Sequence, residues 1–404
     1  MARRKTALLM TVGTGIGGQV ATEDLAHAIL FSIDNSNPDI VIFFGSEKSK
    51  KTVESVKEQY LNEFEEEFDY FEFIHLEQID DFKIYFEAFK RKIQELDGYK
   101  IIIDYTSGTK TMTMSAAFAS MLYRKNLYFV GGEREDGVVI RGTEKIISQN
   151  LYPIYDDLMI SKIKELFNTN RFDAGKSLLE DITKAKKDTY ANLFDAYYYF
   201  DNVDHNKANK YFITKEFIAE WPELKKQFSL NAKALYHLNK EDSAMRPFYI
   251  LGSLINNARR RAEETKYDDA IARLYRSLEL IAQIKLNEYG IDTSDVELDI
   301  LNKHGVEQEF KPDFSGKIKL SLVQDYELLN NLGDDLGEFY IKNKDEFLAT
   351  ISSRNNSILA HGLNSQTEKQ YVKFRDLILK FASVLNPEMD VYIHETEFPE
   401  FEIS

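Results

Sequence analysis

A chain of 404 residues is long enough for two or three domains, and its 43% hydrophobic and 29% charged residues are ordinary for a globular protein. There is no cysteine, which excludes disulfides, zinc ribbons and cysteine nucleophiles. A net charge of −16 makes the chain as a whole a poor generic binder of nucleic acid, because phosphate contacts supply most nonspecific affinity, so any RNA chemistry would need a local basic site.

The first apolar run, Thr6–Val12, is too short for a signal peptide and lacks its cleavage region, so it reads as a buried strand. Helix Glu23–Ile33, strand Asp39–Phe44, helix Lys48–Phe64, strand Tyr70–His75 and helix Asp81–Leu96 follow. Then come strand Lys100–Asp104, helix Lys110–Arg124, strand Leu127–Val130 and a final strand at Val138–Arg141. Apolar strands alternating with helices imply a mostly parallel sheet covered on both faces, a Rossmann-like α/β domain over residues 1–150.

Residues 151–250 change in character. Lys, Glu, Ala, Leu and Tyr dominate and β-branched runs are almost absent, which suits an all-α linker of helical hairpins with no clean repeat period. Tyr197-Tyr198-Tyr199 fits helix packing better than base stacking. Residues 251–404 read as a second all-α domain. Its longest helix runs from about Tyr267 to Tyr289, with Leu274, Leu278, Ile281 and Ile284 on one stripe. A loop-rich insert over 290–315 is followed by helices over 318–331, 344–361 and 366–385. Pro387 ends the last of them, and an acidic tail remains. The only dense arginine groupings, Arg259-Arg260-Arg261 and the pair Arg273 and Arg276, read mostly as solvated helix faces. No stretch approaches the roughly 18 apolar residues of a membrane helix, so a cytoplasmic protein with no membrane partner is expected.

Two strand ends carry unusual residues. Gly13-Thr14-Gly15-Ile16-Gly17-Gly18 follows the first strand. Glycines there permit positive φ and let backbone N–H groups approach a phosphate at a helix N-terminus. Spelled G-x-G-x-x-G, the loop suggests a dinucleotide-cofactor enzyme. That reading wants an acid at the end of the second strand, which instead ends Phe44-Gly45-Ser46 with Glu47 one step beyond. The fourth strand ends Asp104-Tyr105-Thr106-Ser107-Gly108-Thr109-Lys110-Thr111-Met112. Hydroxyls, free N–H groups and an ammonium at a helix start suit phosphate and ribose, and Thr106 or Ser107 also suits an N-cap. Ligands of open parallel sheets bind at carboxyl ends of strands, where these three segments gather.

The segment from Asp104 to Met112, paired with the glycine turn, resembles the CARF domains of CRISPR-associated effectors. Ser107 stands where many relatives carry a glycine. The resemblance covers about residues 5–145. It implies a homodimer holding one cyclic oligoadenylate, tetra- or hexa-adenylate, across its twofold axis. Gly13, Thr14, Gly15, Ile16, Gly17, Gly45, Ser46, Thr106, Ser107, Gly108, Thr109 and Lys110 would line that site.

Near the C-terminus, Arg354-Asn355-Asn356-Ser357-Ile358-Leu359-Ala360-His361 is similar to the R-x(4–6)-H motif of HEPN ribonucleases. In an unbroken helix seven residues make nearly two turns, which would place Arg354 and His361 on one face. The resemblance implies catalytic Arg354, Asn355 and His361, with two copies of the motif meeting in the dimer. RNA carries its own nucleophile, so no metal or cofactor is expected, and cleavage would leave a 2′,3′-cyclic phosphate. The expectation is thus a CARF domain, a helical linker and a HEPN domain forming an endoribonuclease. It would cut single-stranded RNA when activated by cyclic oligoadenylate made by a type III CRISPR complex, and slow self-cleavage of the activator is open. The alternatives are a scaffold with an inactive HEPN domain and the dinucleotide-cofactor enzyme.

Overall fold

The computed structural model describes residues 3–15, 19–78, 80–135, 138–183, 187–296, 302, 318–360 and 362–403. The chain forms two compact units, 1–159 and 160–404.

In the first unit the chain runs β1 (Thr6–Val12), α1 (Gln19–Ser36), β2 (Ile40–Gly45), α2 (Lys50–Phe64), β3 (Phe71–His75), α3 (Phe82–Glu95), β4 (Lys100–Asp104), α4 (Lys110–Tyr123) and β5 (Asn126–Gly131). A small hairpin, β6 (Arg134–Glu135) and β7 (Val138–Val139), precedes β8 (Lys145–Gln149). The sheet order is β3-β2-β1-β4-β5-β8, parallel from β3 to β5 with β8 antiparallel to β5. β1 is central because its residues are apolar on both faces. Leu8, Met10 and Val12 pack with Ala26, Ile29 and Val53 under α1 and α2. Ala7 and Leu9 pack with Phe89, Met112 and Ala116 under α3 and α4. This period of two gives a sheet covered on both faces.

The chain steps from β1 to β2 on one side and returns to β4 on the other, so the strand order reverses between β1 and β4. Such a switch point opens a crevice at the carboxyl ends of the two strands. The last strand is a correction. Val138 and Val139 belong to the two-stranded hairpin, and the sheet is closed by β8, whose half-polar sequence KIISQ suits an edge.

From α5 (Tyr152–Asn168), whose residues from 160 onward belong to the second unit, helices follow one another through α6 (Phe172–Leu179), α7 (Lys187–Asp201), α8 (His205–Tyr211), α9 (Thr214–Glu220) and α10 (Lys225–Asn239). Beyond these lie α11 (Arg246–Glu263), α12 (Tyr267–Glu288), α13 (Leu322–Asn331), α14 (Asp335–Lys342), α15 (Lys344–Asn355), α16 (Glu368–Leu385) and α17 (Met389–Glu395). On α12, Leu274, Leu278 and Ile281 are fully buried, as the stripe predicts. Most of the 290–315 insert lies outside the described residues.

Two local expectations give way here, that of the arginine run and that of the 344–361 helix. The acidic tail after Pro387 carries α17, which packs on α11, where a Cβ on Gly252 would lie 2.8 Å from the Tyr392 carbonyl oxygen. Phe401 then packs edge-on against Phe167 and Trp221, and its backbone N–H donates to Asn168 Oδ1 at 2.9 Å. The arginine run is not a solvated face. Arg260 is 3% exposed, its Nε 2.7 Å from Asp201 Oδ1 and its guanidinium over the Phe398 ring, while Arg261 also pairs with Asp201. The 344–361 helix stops at Asn355.

Candidate functional site

At the crevice, Met10 of β1 lies beside Asp104 of β4. The backbone of Gly13 meets that of Gly108: a Cβ on Gly13 would sit 3.0 Å from the Gly108 nitrogen. Gly108 has φ +116°, where an L side chain is strained. Ser107 pins the two loops together. Its Oγ donates to the Thr11 carbonyl and accepts from the Gly13 N–H, both at 3.0 Å, and Thr11 Oγ1 donates to the Ser107 carbonyl. Ser107 is buried and its hydroxyl is fully engaged within the fold, so it positions the loops rather than facing the crevice.

Asp104 organises the turn beyond β4. It is fully buried, accepts from Ser32 Oγ at 2.5 Å and from the Thr106 N–H at 2.7 Å, and burial pushes its carboxyl above the usual range despite those bonds. Thr106 Oγ1 accepts from the Val130 N–H at 2.9 Å. Thr109 caps α4, accepting from the Met112 N–H at 3.3 Å, and Lys110 opens the helix with its side chain exposed. Backbone donors and an ammonium at the start of a fourteen-residue helix favour an anion.

On the β1 side, Thr14 is exposed and Gly15 has φ +73°. Ile16, Gly17 and Gly18 lie outside the described residues. The Gly13 carbonyl accepts from Thr52 Oγ1 at 2.8 Å. Gly45 pairs with Val12, and a Cβ on it would lie 2.2 Å from Ser49 Oγ. Ser46 is half-buried and its carbonyl accepts from the Ser49 N–H at 3.0 Å. Glu47, the acid nearest the position a dinucleotide ribose would need, is exposed and 2.8 Å from Lys50 Nζ, whose bond holds its carboxyl below the usual range. The described loop residues thus converge on one strand edge. Sequence patterning missed their supports Thr11, Ser32 and Thr52, because each hydroxyl finds its partner only across the sheet.

In the second unit, Arg354 occupies the last turn of α15. Its guanidinium lies over the ring of Tyr275 on α12, 4.2 Å from the centroid, and its Nη1 donates to Asn355 Oδ1 at 3.2 Å. No ion pair to Arg354 occurs among the described residues. Asn355 ends the helix and Asn356 caps it. A turn follows, with the Ile358 N–H donating to the Asn364 carbonyl at 3.1 Å and the Gly362 N–H to the Ser357 carbonyl at 3.0 Å. A Cβ on Gly362 would lie 2.0 Å from the Asn356 carbonyl oxygen. Asn-Asn-Ser favours such a turn because short polar side chains compete with helical backbone bonds. The single-helix argument for pairing Arg354 with His361 therefore fails, and His361 itself lies outside the described residues. Ser353 anchors the turn's far end: Gln366 Nε2 donates to its carbonyl at 3.2 Å and Gln370 Nε2 to its hydroxyl at 2.9 Å. Beneath Tyr275, Asp325 of α13 is buried, with Oδ1 lacking a hydrogen-bond partner. Burial and the nearby Glu279 push its carboxyl up to about 8.

Among the described residues no helix is long and apolar enough to cross a membrane, and no group of three or more His, Asp or Glu could hold a metal ion.

Two protein families match the chain: the Csm6 6H domain over residues 155–242 and the Csm6 HEPN domain over residues 239–385. Together they span more than half of its length. No curated protein sequence matches it. Among solved structures it is similar to Enterococcus italicus Csm6 bound to cyclic hexa-2′-fluoro-hexa-dAMP, with 13% identity, a TM-score of 0.64 and 95% of each chain covered. Can2 from Sulfobacillus thermosulfidooxidans, in complex with cyclic tetra-adenylate, matches at 11% identity over 50% of this chain and 68% of that one, with a TM-score of 0.26 that carries no weight. With its six-stranded α/β domain ahead of the matched 6H and HEPN domains, the chain belongs to the CRISPR-associated CARF–HEPN family.

Proposed function

We propose that the chain is an endoribonuclease of type III CRISPR antiviral defence, activated by cyclic oligoadenylate and acting on single-stranded RNA as a cytoplasmic homodimer. Its parts are a sensing domain over 1–150, a helical linker over 151–250 and a nuclease domain over 251–404. One observation carries the proposal: Arg354, Asn355 and His361 fall inside the stretch that matches the Csm6 HEPN domain. In support, the Arg354 guanidinium has no carboxylate partner among the described residues, so its charge is free for a phosphate.

The chemistry needs no metal. The RNA 2′-OH attacks the adjacent phosphorus, the bond to the 5′-oxygen breaks, and a 2′,3′-cyclic phosphate is left. His361 moves the proton and Arg354 stabilises the charge that builds on phosphate oxygens. Gly13, Thr14, Gly15, Ile16, Gly17, Gly45, Ser46, Thr106, Gly108, Thr109 and Lys110 form the activator site, with Ser107 as its internal pin. Thr14, the exposed hydroxyl there, would orient a ribose 2′-OH if the crevice slowly cuts its own activator. Two exposed apolar features support a dimer: Met114, Phe118 and Leu122, spaced four apart on α4 and 48%, 45% and 42% exposed, and Leu363, 90% exposed in the turn after α15.

The test is cleavage of a fluorescent single-stranded RNA with and without cyclic tetra- and hexa-adenylate, in excess EDTA. Cleavage only with a ring, persisting in EDTA and giving cyclic-phosphate ends by mass spectrometry, is expected. Binding without cleavage would favour a scaffold with an inactive nuclease domain. Activity lost in EDTA and restored by manganese would overturn the metal-free chemistry.

A further inference from the structure

The Arg354 side chain is long and sits at the end of a helix, where nothing in its own turn immobilises it beyond the one bond to Asn355 Oδ1. What it does have is a platform. Tyr275 projects from α12, a different helix, and its ring lies 4.2 Å from the guanidinium carbon. Guanidinium stacking uses the face of the group. The N–H donors radiate in the plane, and those not bonded to Asn355 are left for a bidentate contact with phosphate. A carboxylate partner would instead occupy those donors and cancel the charge, and none is present among the described residues.

α12 is well placed to serve as a rigid support. Leu274, Ser277 and Leu278 flank Tyr275 and are all buried. Tyr326 on α13 donates its hydroxyl to the Leu278 carbonyl at 2.9 Å. The ring therefore stands on a helix with a buried flank and a bond to α13, while Arg354 stands on a helix end that turns immediately afterwards.

We propose that Tyr275 is a positioning residue for the ribonuclease reaction: its ring face holds the Arg354 guanidinium stacked and unpaired, with its N–H edge presented to the scissile phosphate. The proposal rests on the ribonuclease reading above. It needs the ring and its quadrupole, not the phenolic hydroxyl.

The test compares activated RNA cleavage by the full-length protein, Tyr275→Phe, Tyr275→Leu and progressively fluorinated phenylalanine at position 275. Fluorination drains the ring face while keeping its shape. Tyr275→Phe should rescue the reaction. Tyr275→Leu should lower kcat by about tenfold, the scale of a partly desolvated cation–π contact, with KM little changed. The fluorinated series should lose kcat in graded steps. A flat series, or a leucine variant as fast as the phenylalanine one, would overturn the proposal. If leucine unfolds the domain, as a lowered melting midpoint would reveal, the shape-preserving series decides alone. Arg354→Ala run alongside separates the two levels: an active Arg354→Ala protein refutes the ribonuclease reading itself, whereas an inactive one beside an unaffected Tyr275 series refutes only the positioning role.

Discussion

Gly13 and Gly108 meet backbone to backbone across the β1–β4 crevice, with only tight space for a Cβ on either: one on Gly13 would lie 3.0 Å from the Gly108 nitrogen, and one on Gly108 would lie 3.2 Å from both Met112 Cβ and Thr11 Cβ. Gly108 also holds φ +116°. Gly108→Ala should therefore cost about 1–3 kcal/mol of stability and separate the two loops. Thermal melting gives the first effect and calorimetry with cyclic tetra- and hexa-adenylate the second. Wild-type affinity in this variant would show that the close approach does not shape the activator site.

Lys110 is the exposed cation at the start of α4. Lys110→Ala should weaken activator binding by about tenfold or more, the scale of one lost charge-assisted contact, without lowering the melting midpoint. The activator concentration for half-maximal RNA cleavage should rise in step, because a ligand shifts a conformational equilibrium only through differential affinity. If neither ring binds the wild-type protein, the sensing role fails.

Arg354→Ala and His361→Ala should each reduce activated cleavage by at least about 10²-fold, the usual scale for lost acid–base or charge stabilisation. Activator binding, measured by calorimetry, should not move. Full activity in either variant would remove that residue from the chemistry.

Asp325 makes a prediction about stability. Burial, reinforced by Glu279, raises its folded-state pKa to about 8, against about 3.9 for an unfolded chain. Between these values the folded protein holds a proton that the unfolded chain has released. The stabilising contribution is complete below about pH 4 and is lost as pH rises to about 8, at up to about 1.4 kcal/mol per pH unit. Asp325→Asn should remove that slope. Denaturant midpoints at pH 5 and pH 8 should show the variant gaining on wild type at the higher pH. Parallel curves would mean that the carboxyl is not held protonated.

What the sequence by itself determined is local. Alternate residues of Thr6–Val12 are apolar on both faces, so the strand had to be central and covered by helices. The glycines at 13 and 108 lie at strand ends, where only a close approach or a positive φ calls for them. The stripe of Leu274, Leu278 and Ile281 declared the core helix of the second unit. Tertiary structure decided whatever depends on a partner far along the chain. β8, not Val138–Arg141, completes the sheet because its pairing is with β5. Ser107 faces inward because Thr11 and Gly13 take up its hydrogen bonds. Arg260, solvated by any pattern rule, is buried because Asp201 and Phe398 wait for it. The helix carrying Arg354 ends at Asn355, and beyond it the Ile358 N–H bonds the Asn364 carbonyl instead of the Arg354 carbonyl that a continued helix would offer. Tyr275, one of 23 tyrosines, gains its meaning only from the guanidinium stacked on it. Periodicity reports which face a residue turns to the core; it does not report which side chain, dozens of residues away, it will meet there.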